Sequence, residues 1–307
     1  MTIHPEGRAL IPERSAGPRA GLRTVLRYAA YPALLLSVPA AAAAALVAHA
    51  DIGRVLVLHQ VGVIGYLWAL ERLIPHRRDW HPGGRELRCY GVYFVLTMVG
   101  GAIGQLLVTA LVARVAPPHP ALPLQAEIPL ALLAGSLAKY LFHRWSHHQP
   151  WLWRLHGVHH GLDKVNVANN GVNHLLDVLL GQAVVQLALA WLGFSRESVF
   201  CATLFVVAQG YFVHANIDVR IGRLNHLLGS PEQHRLHHST DLAESGHYGA
   251  DLAIWDHLFG SFTWRPGQVP AAVGLSDPDS FPPTADVLAS LLHPWRTAAD
   301  ATTGSSG

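Results

Sequence analysis

Between His143 and His160 the chain reads HRWSHHQPWLWRLHGVHH, six imidazoles in eighteen residues. His143 and His147 stand four apart, so a helix carries both on one face. His156, His159 and His160 in HGVHH supply a first ring with neighbours at +3 and +4, and His234, His237 and His238 in HRLHH repeat that spacing. His214 in VHANID adds a further ring. Imidazole suits iron, zinc, copper and nickel, while calcium and magnesium prefer oxygen. A transition-metal ion is saturated by about four to six donors, so nine histidines on converging faces point to two ions. A lone HxxxH pair is as often structural as functional; two HxxHH groups and an HxxxH in one chain are not explained that way.

The other histidines read differently. His4, His49, His59, His76, His119 and His293 are isolated and read as structural, His148 points off the face of His147, and His226 and His257 read as surface or structural groups. HPGG at His81 to Gly84 matches the haem-ligating tetrapeptide of cytochrome b5 domains, but apolar runs flank it closely and it reads as a turn.

Composition sets the surroundings. Of 21 histidines, two thirds fall between His143 and His257. Cys89 and Cys201 lie in or beside apolar runs, so no disulfide framework or CxxC metal site is available and thiolates do not carry the chemistry. Half of the 307 residues are hydrophobic and 14% are charged, against about 25% in soluble proteins. A net charge of +2 gives no reason to expect nucleic acid as a partner.

The elements that must position the histidines follow from the apolar runs. Residues 28–50, 55–74, 90–115 and 128–142 predict four spans, a bilayer needing about 20 apolar residues. Residues 175–194 and 199–213, separated by SRES, predict a hairpin that dips into the membrane from the histidine side. Arg8, Arg14, Arg19, Arg23 and Arg27 precede the first span, and Arg77, Arg78, Arg85 and Arg88 lie between the second and third. The positive-inside rule makes both segments cytoplasmic, which places every histidine cluster on the cytoplasmic side of an integral membrane protein. The loops ADIGR and PPHPALPLQ on the other side are nearly free of positive charge. The expected fold is therefore all-α: a polytopic membrane bundle of about four spans plus the hairpin, under a histidine-rich helical cap. Residues 1–27 read as a cytoplasmic tail, 28–265 as the membrane-embedded domain, and the Pro-, Ala- and Ser-rich 266–307 as a loosely ordered tail.

HRWSH, HGVHH and HRLHH resemble, in order, the HxxxH, HxxHH and HxxHH boxes of the fatty acid hydroxylase and sterol desaturase superfamily of integral membrane enzymes. HANI at His214 to Ile217, SPEQHRLHHS at Ser230 to Ser239, WDHLFGSF at Trp255 to Phe262 and ERLIPHRRDW at Glu71 to Trp80 extend the resemblance over roughly residues 70–265. It implies two iron ions ligated by His143, His147, His156, His159, His160, His214, His234, His237 and His238. His174 in NHLLD resembles an HPxD or HPxE element without its proline, which makes His174 and Asp177 candidates to line the site. Asn216 lies within the HANI motif, Asp218 stands where some members carry another histidine, and His247 replaces the asparagine of NYG; these three are further candidates to touch or orient ligands.

The resemblance also implies chemistry: O2-dependent hydroxylation or desaturation of an unactivated C–H position in a lipid or sterol-like substrate. No GxGxxG follows a predicted strand and no cysteine set could hold a cluster, so electrons must come from a separate protein, a cytochrome b5-like donor or a ferredoxin with its reductase. The alternative from another class is a membrane metal-binding protein or transporter without oxidative catalysis. A transporter carries ionisable groups inside several spans, whereas here they gather at the membrane edge, with His59 the main exception.

Overall fold

The computed structural model describes residues 18–115 and 122–296. Residues 1–17 of the tail expected over 1–27, with Arg8 and Arg14, residues 116–121 of the proline-rich loop with His119, and the last part of the C-terminal tail, 297–307, lie outside the described residues, while residues 18–27 are not a tail but the first turns of a helix that runs on to Val47. Among the described residues there are ten α-helices and only isolated β-bridges: α1 (Pro18–Val47), α2 (Ile52–Leu73), α3 (Gly84–Val115), α4 (Leu124–His148), α5 (Pro150–His160), α6 (Leu175–Trp191), α7 (Arg196–Val213), α8 (Pro231–His237), α9 (Ile254–Phe259) and α10 (Val287–Leu292).

Among the described residues three helices are long and apolar enough to cross a bilayer: Ala20–Val47, Ile52–Leu73 and Gly84–Val112. Large apolar side chains such as Leu36, Leu58, Val61, Val95 and Leu106 are exposed on them, as a lipid-facing surface requires. The expected fourth span is α4, which carries Glu127, Lys139 and Arg144 along its length. All three have partners in the fold: Glu127 accepts from the Ser195 backbone at 3.2 Å, Lys139 pairs with Asp251 at 3.5 Å, and Arg144 donates to the Tyr140 hydroxyl and the Phe259 carbonyl. Such pairing is how a charge is kept away from hydrocarbon.

The hairpin sits in the middle of the bundle rather than beside it. Helix α6 packs on α3 and α4, and α7 packs on α4, α2 and α1. Tyr31 of α1 stacks on Phe212 of α7 with ring centroids 4.2 Å apart, and its hydroxyl donates to Gln209 at 3.1 Å. Asp51 and Ser195 cap the helices that start at the far end, each accepting a backbone N–H at i+3. The opposite end gathers the end of α2, the start of α3, the end of α4, the start of α6 and the end of α7. Arg23 and Arg27 share a cavity there with Arg78 and Asp218, so the start of α1 also lies at this end.

Residues 271–296 depart from the expected loose tail, because they dock on the cap. The Tyr93 hydroxyl donates to the Thr284 carbonyl at 3.1 Å, and Arg154 donates to the carbonyls of Pro294 and Arg296 at 3.2 and 2.9 Å. Phe281 lies so close over α5 that a Cβ on Gly157 would fall 2.2 Å from its ring. Composition predicts disorder from a shortage of apolar residues, but a few anchors at the right places hold this segment.

Candidate metal centre

Helix α4 runs to His148, and Pro150 then fixes the first turn of α5. Proline suits that position because its missing N–H would have no helical partner. The break folds α5 back so that His156 and His160 face His143 and His147: the ring centroids of His143 and His156 are 4.8 Å apart, and those of His147 and His160 also 4.8 Å. Ser230 caps α8, accepting from Gln233 N–H at 3.3 Å, with Pro231 in its first turn. That short helix and its C-cap carry His234, His237 and His238.

The nine rings form two adjoining groups. His143, His147, His156, His160 and His237 make one, and His159, His214, His234 and His238 the other; within each, the donor atoms lie within 4.8 Å of one another. His160 of the first stacks on His238 of the second at 4.2 Å between centroids. The neighbouring histidines of each HxxHH box thus go to different groups.

Four rings have an orientation set by an acceptor on Nδ1. His143 donates to the carbonyl of Tyr248 at 2.7 Å, His159 to Val172 at 3.1 Å and His214 to Asn166 at 2.9 Å. A carbonyl can only accept, so Nδ1 bears the proton and Nε2 presents its lone pair. His156 Nδ1 lies 3.0 Å from Asp177 Oδ2, a carboxylate–histidine pair of the kind that fixes a ligand ring's orientation. Buried nitrogens without a partner include Nε2 of His147, His156, His160, His214 and His237. An orphaned buried polar group costs about 1–3 kcal/mol, and so many facing one another lose that cost when a cation takes their lone pairs. His234 and His238 bring their Nε2 atoms to 3.1 Å. The donor set therefore fits two imidazole-bound transition-metal ions.

Electrostatics keep the rings ready. Burial first, and neighbouring imidazoles second, hold His159, His160, His234 and His238 well below the usual histidine range. Burial pushes His214 down to about 4, against the opposing pull of the Asn166 carbonyl. Neutral imidazole is the metal-binding form.

The remaining candidates separate. Asp177 is at the centre through His156, but His174, three residues before it, caps α6 by accepting from Leu176 N–H and donates to the Leu291 carbonyl at 3.0 Å. Asp218 is turned away, paired with Arg27 and, at 3.2 Å, with Arg220. The Asn216 amide accepts from Arg77 N–H at 2.9 Å and donates to the Arg77 carbonyl at 2.7 Å, bracing the chain beside His214. His247, buried with φ 73°, is 3.7 Å from Asp256 and belongs to neither group. His148 donates from Nδ1 to the Arg144 carbonyl, His81 from Nε2 to the Glu71 carbonyl, and His226 pairs with His257 at 3.3 Å on the surface.

Sequence reasoning missed the residues that act through backbone. Asp256 accepts from the amides of Tyr248 and Gly249 at 2.7 and 2.9 Å, fixing the carbonyl that orients His143. Tyr248 also sets its ring 5.2 Å from His147 and 5.7 Å from His237. WDHLFGSF contains Asp256 and HYG contains Tyr248, so both motifs were visible without their roles. For Asn166 and Val172, which reach the rings through a backbone carbonyl, the sequence carries no signal.

The model of the fatty acid hydroxylase family matches residues 128–261, from α4 to just past α9. An ornithine lipid hydroxylase of Rhizobium tropici is 30% identical over 231 residues, 70% of this chain and 69% of that protein. Alkylglycerol monooxygenases of Danio rerio and Homo sapiens are 30% and 28% identical over 157 and 176 residues. These stretches are 48% and 54% of this chain but 33% and 37% of the relatives, so the chain spans about a third of their length. No solved structure matches the chain. Its relatives are lipid hydroxylases and monooxygenases, and with the three histidine boxes inside the matched region the chain belongs to the fatty acid hydroxylase family.

Proposed function

We propose that this protein is an O2-dependent di-iron monooxygenase of the membrane that hydroxylates an unactivated C–H position of a lipid, with the nine histidines as its iron ligands. The observation that carries the reading is the pair of adjoining groups, five and four histidines, whose donor atoms converge. Bound iron would supply the O2 activation and C–H oxidation that no amino-acid side chain provides. The chain's own residues aim Nε2 of His143, His159 and His214 by way of the Tyr248, Val172 and Asn166 carbonyls, and orient His156 through Asp177. Burial of seven of the nine rings limits water around the reacting groups.

Hydroxylation is favoured over desaturation because the named relatives are hydroxylases and monooxygenases. A lipid substrate reaches the site from the bilayer, past the apolar bundle that ends at the histidines. The arginines at that end make it the cytoplasmic side, where a cytochrome b5-like protein or a ferredoxin with its reductase delivers electrons to the cap.

The test compares lipid extracts of cells with and without the gene, grown under 18O2. One labelled oxygen in a gene-dependent lipid, absent in His237→Ala, is expected. Unchanged lipids together with altered metal uptake would overturn the reading in favour of a metal-binding protein or transporter.

A further inference from the structure

We propose that Glu71 is a positioning residue for the four-histidine group: one of its carboxylate oxygens clamps together the loop that carries His214 and the loop whose carbonyl aims it. Glu71 is fully buried near the end of α2. Its Oε1 accepts from Val167 N–H at 2.7 Å and from Asn216 N–H at 2.8 Å. Asn166, next to Val167, offers the carbonyl that takes His214 Nδ1–H at 2.9 Å, and Asn216 follows His214 by two residues. One oxygen atom thus holds the amide adjoining the Asn166 carbonyl and the amide two residues past His214, one on each side of the His214 hydrogen bond.

The segment after Glu71 reinforces the clamp. Ile74 O accepts from Asp218 N–H at 2.8 Å, His76 N–H donates to the Asn216 carbonyl at 3.1 Å, and Pro75 bridges to Ile217. His81 Nε2–H donates to the Glu71 carbonyl at 2.8 Å. ERLIPHRRDW therefore serves as a brace against VHANID. A buried carboxylate is costly unless donors compensate it; two amide donors to one oxygen are charge-assisted bonds of the stronger kind. Glu71 Oε2 has no partner, so the side chain is held by Oε1 alone. Among the described residues no other group bonds the Val167 and Asn216 amides to a single atom, and without it His214, on a loop, loses its aim.

This inference rests on the two-metal reading, and its test separates the two. Wild type, Glu71→Ala and Glu71→Gln are purified in nanodiscs, loaded with Co(II), and assayed for metal per chain. Two ions are expected in wild type, one in Glu71→Ala, and two in Glu71→Gln, whose amide oxygen still accepts both N–H groups. Two ions in Glu71→Ala, loss of both ions there, or a Glu71→Gln that behaves like Glu71→Ala would overturn the proposal. Hydrogen exchange on the metal-free proteins reads the clamp independently. Residues 166–170 and 214–217 should lose protection in Glu71→Ala and keep it in Glu71→Gln, with α5 and α8 unchanged; equal protection in all three proteins overturns the clamp. If wild type holds fewer than two ions, the metal reading fails and the exchange result alone decides on Glu71.

Discussion

The five-histidine group and the four-histidine group are built from different material. In the first, His143 and His147 stand on α4, His156 and His160 on α5, and His237 on α8. In the second, His159 and His234 stand on helices, but His238 is the C-cap of α8 and His214 follows the last residue of α7. Packing of α4 on α5 brings together four rings of the first group, with one loop carbonyl, that of Tyr248, aiming His143; the second depends on loops, carbonyls and the buried carboxylate of Glu71. The lesson is that redundancy and rigidity coincide: the group with a spare ring is also the one with the firmer frame.

The largest expected contrast comes from removing one ring from each group. His159→Ala leaves three imidazoles in its group and His237→Ala leaves four in the other. Both should abolish turnover, but metal analysis should find one ion lost in His159→Ala and metal largely retained in His237→Ala. Equal metal loss would break the comparison, and full metal with full turnover in either variant would refute the assignment.

Asp177→Ala comes next. It removes the acceptor on His156 Nδ1 and should weaken metal binding in the five-histidine group by about 10–100-fold, leaving the four-histidine group unchanged in a competition titration. Weakening of both groups alike would mean that they do not respond separately.

Acid should act on both groups through burial. Folded His214 titrates near 4, against an ordinary value of 6.5, so between those values the unfolded chain binds more protons than the folded one. Stability of the metal-free protein is then fully present above about pH 6.5 and falls as the pH drops toward about 4; His159, His160, His234 and His238 shift in the same direction. A melting temperature flat across that range would contradict the burial of neutral rings.

The smallest effect concerns the frame of the five-histidine group. Gly157→Ala forces Phe281 off α5 and should cost about 1–3 kcal/mol, as overpacking does. Adding Phe281→Ala should recover part of the lost melting temperature; no recovery would show that the C-terminal segment does not brace α5.

How much of this was legible follows from where each signal lies. HRWSH, HGVHH and HRLHH are contiguous, and helix periodicity translates their spacing into a shared face, so the nine rings could be named from sequence. Their division into two groups could not, because His159 and His160 are neighbours that face different partners. Asp177 could be named but not distinguished from His174, since one turn of α6 separates a ligand's partner from a helix cap. Asp218 drew notice by its place in the motif, yet Arg27, far away in sequence, claims it. Glu71 and Asp256 act through the amides of remote loops, and the docking of 271–296 depends on Phe281 meeting a glycine; neither kind of contact leaves a pattern in spacing or composition. The apolar runs marked the helices well, but hydropathy alone could not tell a hairpin beside the bundle from one at its centre.

The central claim is that two iron ions sit side by side, one in each histidine group. Anomalous scattering at the iron edge from crystals of the iron-loaded protein tests it most directly. The account predicts two peaks, one among His143, His147, His156, His160 and His237 and the other among His159, His214, His234 and His238. A single peak, or none within reach of these rings, would contradict it.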